Sequence, residues 1–134
     1  MAMFGSLGVS YSGMDVYRTW IDATADNVAN VSTVRRTSEE AYRAKYIVAS
    51  SVPGTDGVGK GARVAGVELG DGEGTLVYDP RHPLADEQGM VRFPAMSLSD
   101  QMTNLIIAQR AYQSNVTVFE RARDAYQRAL EIGK

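Results

Sequence analysis

Leu98, Met102, Leu105, Tyr112, Val116, Phe119, Tyr126 and Leu130 recur on one stripe of a helix that would run from Ser97 to about Glu131. At 1.5 Å per residue such a helix is roughly 50 Å long. A compact domain of 134 residues has a radius of gyration of roughly 14 Å, hence a diameter of about 36 Å. The helix does not fit inside a globule made from its own chain. It needs a long companion, and the opposite end of the sequence offers one.

From Val9 to Val31, the residues Met14, Tyr17, Ile21, Thr24, Val28 and Val31 return at spacings of three and four. Asp15, Arg18, Asp22 and Asp26 fall on the other side. A further strip of Val9, Val16, Trp20 and Ala23 widens the apolar arc beyond what one neighbouring helix requires. The C-terminal helix has a second strip too, made of mostly small residues: Ile107, Ala111, Val118, Ala122, Ala125 and Ala129. Ser97 with Asp100 behind it reads as its start, and Gly133 as its stop. In a lone chain, Val16, Trp20 and the alanine strip are expected to face water, which marks them as interaction surface.

Between the ends the texture changes. Residues 51–74 hold eight glycines, too many for a helix. Residues 42–49, 62–69 and 75–78 read as short strands, because β-branched and aromatic residues sit there between turn signals. Asp79-Pro80, His82-Pro83 and Phe93-Pro94 punctuate the approach to the last helix. The expected fold is mainly α with a small β region. An elongated, coiled-coil-like antiparallel pair of N- and C-terminal helices is joined by a β-rich middle. Residues 1–33 and 97–134 form the helical domain and residues 34–96 the β region.

Composition removes several functions. Fourteen basic against sixteen acidic residues give a net charge of −2, which argues against a nucleic-acid binder or a polybasic membrane anchor. There is no cysteine, so disulfides, thiolate nucleophiles and Cys-ligated zinc are out. No apolar run is long enough to span a bilayer, and the N-terminus lacks the pattern of a cleaved signal peptide.

The acidic loop with Asp79, His82, Asp86 and Glu87 could be read as a metal or acid–base cluster. One histidine in the whole chain is a poor basis for a site that usually wants several nitrogen or sulfur ligands. A turn-forming segment with solvated carboxylates explains it better. Gly70-Asp71-Gly72-Glu73-Gly74 lacks the lysine and following helix of a phosphate loop. No serine or threonine has a histidine placed for a triad. Catalytic, cofactor and metal sites are therefore assigned to none of these residues. Asn27, Asn30, Asn104 and Asn115 lie at or near the apolar strips, where a buried amide is expected to set helix register across subunits; Asn30 reads equally well as a helix end.

Asp26-Asn27-Val28-Ala29-Asn30-Val31-Ser32-Thr33, closing an amphipathic N-terminal helix, resembles the asparagine-rich signature of flagellar rod and hook proteins. The run from Val77 to Pro94, with Asp79, Pro80, His82, Pro83, Asp86 and Gly89, resembles a segment characteristic of a short rod member of that family. Residues 108–116 and 129–133 match as well.

The resemblance implies a structural, non-enzymatic subunit of the basal-body proximal rod, the axial drive shaft that crosses the periplasm and transmits motor torque. It implies helical self-assembly with other proximal and distal rod subunits and with the MS-ring/rod junction protein. It also implies passage through the flagellar type III export apparatus, without a cleaved signal peptide. Phe4 is the aromatic candidate for the export-gate motif, with Gly8 four positions later. No cofactor, nucleic acid, small-molecule substrate or membrane insertion is implied. The expected assembly surface comprises Met14, Val16, Tyr17, Trp20, Ile21, Asn27, Val28 and Asn30 on the first helix. On the last helix it comprises Leu105, Ala111, Tyr112, Asn115, Val116, Phe119, Ala122, Tyr126 and Leu130. Another rod or hook subunit, or a cytoplasmic helical adaptor or chaperone, would account for the two amphipathic ends alone.

Overall fold

The structure, a computed structural model, describes residues 2–54 and 57–133, with side chains from residue 5 onward; the side chain of Phe4 lies outside the described residues. Two terminal helices flank two small antiparallel sheets. In chain order the elements are α1 (Ala2–Asn30), β1 (Lys45–Ser51), β2 (Ala62–Leu69), β3 (Thr75–Tyr78), β4 (Met90–Phe93) and α2 (Leu98–Ile132). β1 pairs with β2, and β3 with β4.

α1 begins well before Val9, where the periodicity starts. Once a helical nucleus exists, each added residue gains one hydrogen bond, and this carries the helix through Gly5 and Gly8 despite about 1 kcal/mol against each. It ends where Asn30 turns its amide back on Asp26 O at 2.8 Å and its Oδ1 accepts the Thr33 hydroxyl at 3.1 Å. α2 starts as expected, with the Gln101 N–H on Ser97 O at 3.1 Å and Asp100 in the first turn.

β1 begins three residues later than the sequence suggests, since Ala41 and Ala44 are buried in the approach to it instead. β4 is a correction: residues 90–93 read as part of a punctuated loop, yet they form a strand. The register sets Val77 opposite Val91 and Tyr78 opposite Met90, and the Val91 side chain is fully buried. Arg35 bridges to Arg92 on the other edge of β4.

The chain groups into two compact units. One contains Met1–Ile21, Ile47–Gly66 and Ile106–Lys134. In it Ser12 Oγ donates to Val9 O at 2.7 Å and accepts the Ala62 N–H at 3.1 Å, tying the start of β2 to α1. Tyr17 and Trp20 stack with ring centroids 5.8 Å apart. Here an expectation fails. Val16 is only 6% exposed and Trp20 is partly covered, because Ile47, Ala49 and Ala62 of the β1–β2 hairpin line one recess with them. The hairpin covers Val16 and part of Trp20, whereas Ala125 and Ala129 of the alanine strip are exposed as expected.

The other unit contains Asp22–Tyr46 and Val67–Leu105. Its interior holds Ala23, Thr24, Asn27, Ala41, Ala44, Val91 and Gln101. In the first unit Gly13 lies against Asn115, and in the second Asn27 bonds to Gln101. Among the described residues, no helix is long and apolar enough to cross a membrane.

Candidate assembly surface

The last turn of α1 places Asn27 under the start of β1 and beside the first turns of α2. Its Nδ2 donates to Lys45 O at 2.9 Å and to Gln101 Oε1 at 3.0 Å. Its Oδ1 accepts the Lys45 N–H at 2.8 Å and the Tyr42 hydroxyl at 3.3 Å. Asn27 is 1% exposed and Gln101 3%, so water does not compete for these bonds. At the rim, Lys45 Nζ reaches Asp26 at 2.7 Å, and that bond raises the lysine above its ordinary pKa; burial pushes the Tyr42 phenol up.

Asn30 and Asn115 behave differently. Both donate to a carbonyl one turn back on their own helix, Asn30 to Asp26 and Asn115 to Ala111 at 3.0 Å.

The loop from Asp79 to Gly89 is held by hydrogen bonds in its own turns and by one to Thr37. Asp79 N–H bonds Gly89 O at 2.9 Å, closing the β3–β4 hairpin. His82 Nδ1 accepts the Leu84 N–H at 3.1 Å, which leaves the ring no free lone pair for a metal when Nε2 carries the proton. Asp86 Oδ1 accepts from Gln88 N and Met90 N, both at 2.9 Å, and Oδ2 accepts the Thr37 hydroxyl at 2.9 Å. The Met90 amide, more than the others, holds the Asp86 carboxyl below its usual pKa. Gly89 has φ +73°, and a Cβ there would lie 2.9 Å from the Tyr78 ring and 3.0 Å from Pro80 Cβ. Pro80 and Pro83 are exposed on the outside of the loop. No group of three or more metal-ligating side chains occurs among the described residues.

The expected surface residues divide by cover. Val16 and Asn27 are buried within the chain. Met14, Tyr17, Trp20, Ile21, Val28 and Asn30 on α1 are half-buried, as are Leu105, Ala111, Tyr112, Asn115, Val116, Phe119, Ala122 and Tyr126 on α2. Leu130 is 53% exposed. Tyr11, Ile106 and Ile132 are exposed apolar residues that the stripe reading missed, with Ile132 at 86%. Ile106 sits off the stripes, whereas Ile132 extends the strip of Ala125 and Ala129 by one turn, and that continuation was the available signal. β3 adds Leu76, Val77 and Tyr78, all exposed on a four-residue strand.

The last turns of α2 are exposed, Leu130 and Ile132 among them. Ala125, Ala129 and Ile132 line a shallow recess there with Arg121, Asp124 and Arg128.

Comparison with known proteins gives this geometry a lineage. The family model described as "Flagellar basal body rod FlgEFG protein C-terminal" matches residues 87–132, which span the end of the Asp79 loop, β4 and α2. The flagellar basal-body rod protein FlgC of Borreliella burgdorferi is 33% identical, over 98% of this chain and 98% of that one. The FlgC of Bacillus subtilis is 31% identical over the full length of both chains. That of an Escherichia coli O6:H1 strain is 30% identical, again over all of both. Identity at this level, sustained from end to end, reflects common descent: the chain belongs to the FlgC family of flagellar basal-body rod proteins.

Proposed function

We propose that this structural subunit of the flagellar basal-body rod is built into the proximal rod, where α1 and α2 pack against helices of neighbouring subunits. The observation that carries this reading is the apolar end of α2, where Leu130 and Ile132 are exposed. Exposed apolar residues grouped in this way mark a surface that a partner buries. The neighbours are other copies of the chain, proximal and distal rod subunits and the MS-ring/rod junction protein. Torque passes through these helix–helix contacts. No bond is made or broken, so the subunit is not an enzyme and takes no cofactor. Delivery is through the flagellar type III export apparatus, as an unfolded chain.

The test is deletion of the gene with complementation, followed by basal-body purification. The expected outcome is loss of swimming in the deletion and co-purification of the complementing protein with basal bodies. A protein confined to the cytosol, or swimming without it, would overturn the reading.

A further inference from the structure

We infer that Asn27 is the positioning residue that fixes α1, β1 and α2 against one another in the second unit, acting within the subunit and not between subunits. A side-chain amide has two donor hydrogens and two acceptor positions. At Asn27 all four are used, on Lys45 N–H, Lys45 C=O, the Tyr42 hydroxyl and Gln101 Oε1. Toward Lys45 the amide accepts from the N–H and donates to the C=O of one residue, as a residue on an adjacent antiparallel strand does. The helix thus supplies the missing neighbour at the open edge of β1. Its remaining proton reaches α2.

Apolar contacts tolerate sliding, and these bonds do not. Moving α1 by one residue displaces position 27 by about 1.5 Å and turns it by about 100°, which breaks every bond of the set. At 1% exposure water cannot replace them. Asn30 and Asn115 lack this property, since each donates to a carbonyl of its own helix and neither joins two elements by a hydrogen bond among the described residues. The inference does not depend on rod membership.

The test uses the full chain, whose lack of native cysteine gives a clean background. Spin labels go on Ala25→Cys and Thr103→Cys, both exposed positions in this unit, and pulsed EPR reads the α1–α2 distance. Amide exchange at Lys45 reads the β1 bond. Without further change the expected result is one narrow distance and a protected amide. Asn27→Leu should keep the helical circular dichroism, broaden or split the distance, and speed Lys45 exchange by roughly tenfold or more. One narrow distance with unchanged Lys45 protection would overturn the inference. Should Asn27→Leu fail to fold, Gln101→Leu decides. Lys45 protection kept with a broadened distance supports the inference, and any other combination overturns it.

Discussion

The amide of Asn115 occupies the space in front of Gly13: a Cβ on that glycine would stand 2.8 Å from Asn115 Oδ1 and 3.1 Å from its Cγ. On a free helix, Gly→Ala stabilises by roughly 0.5–1 kcal/mol. Here the added methyl meets a side chain tethered to Ala111 O, and overpacking of this kind costs about 1–3 kcal/mol. The clash wins. Gly13→Ala should therefore lower stability in urea unfolding, and Gly13→Ala/Asn115→Ala should recover most of the loss. Additive effects in that double-mutant cycle would disprove the contact.

Asp86 predicts an acid-labile loop. Its folded-state pKa is depressed, first by the Met90 amide, so its contribution is present above the unfolded carboxylate value. That contribution fades as pH falls through the lower, folded value. Amide exchange at Gln88 and Met90 should accelerate across that acid range. In Asp86→Ala it should be fast and show no such acid step.

His82 has a conformational duty that can be separated from metal binding. The Oδ1 of asparagine lies at the same place along the side chain as histidine Nδ1, so His82→Asn should keep the Leu84 amide protected. His82→Gln reaches one bond further and should lose that protection, by about 1 kcal/mol locally, while rod assembly survives. Gly89→Val is a harsher change, since a β-branched residue at φ +73° strains the backbone and runs into Tyr78 and Pro80. A loss of about 2 kcal/mol or more is expected. Stoichiometric zinc in the purified protein, absent after His82→Gln, would contradict this account.

The far end of α2 should behave unlike its beginning. In the isolated chain, amides in residues 124–132 should exchange quickly, because helical turns without packing are marginal. Those near Gln101 should exchange slowly. Incorporation into basal bodies should slow the distal set. Equal protection of both ends in dilute protein would rule out the end of α2 as a bare surface.

Much of this architecture was readable in the residues. The helices were legible because a period near 3.6 persists over many turns, β2 because Gly61 and Gly70 bracket it, and β3 because it lies between Gly74 and Asp79-Pro80. β4 was hidden. Four residues between Gly89 and Pro94 are too short to show a period, and only the pairing of Val91 with Val77 makes them a strand. Asn27 was legible as an amide near an apolar face. Its partners were not, since Lys45 and Gln101 stand 18 and 74 residues away in sequence. The same distance problem concealed what covers Val16, because a helix stripe says that something packs there and does not say what.

Each compact unit is stitched from both ends of the chain: one needs residues up to Leu105, the other the stretch from Ile106 onward. A chain emerging N-terminus first thus meets no α2 partner for Asn27 until Gln101 appears, and none for Gly13 until Asn115 does. Closing such wide loops is slow compared with local helix formation. Any process that holds or threads the chain from its leading end acts on a polymer that cannot yet complete either core. Release of the trailing segment is then the step that times folding.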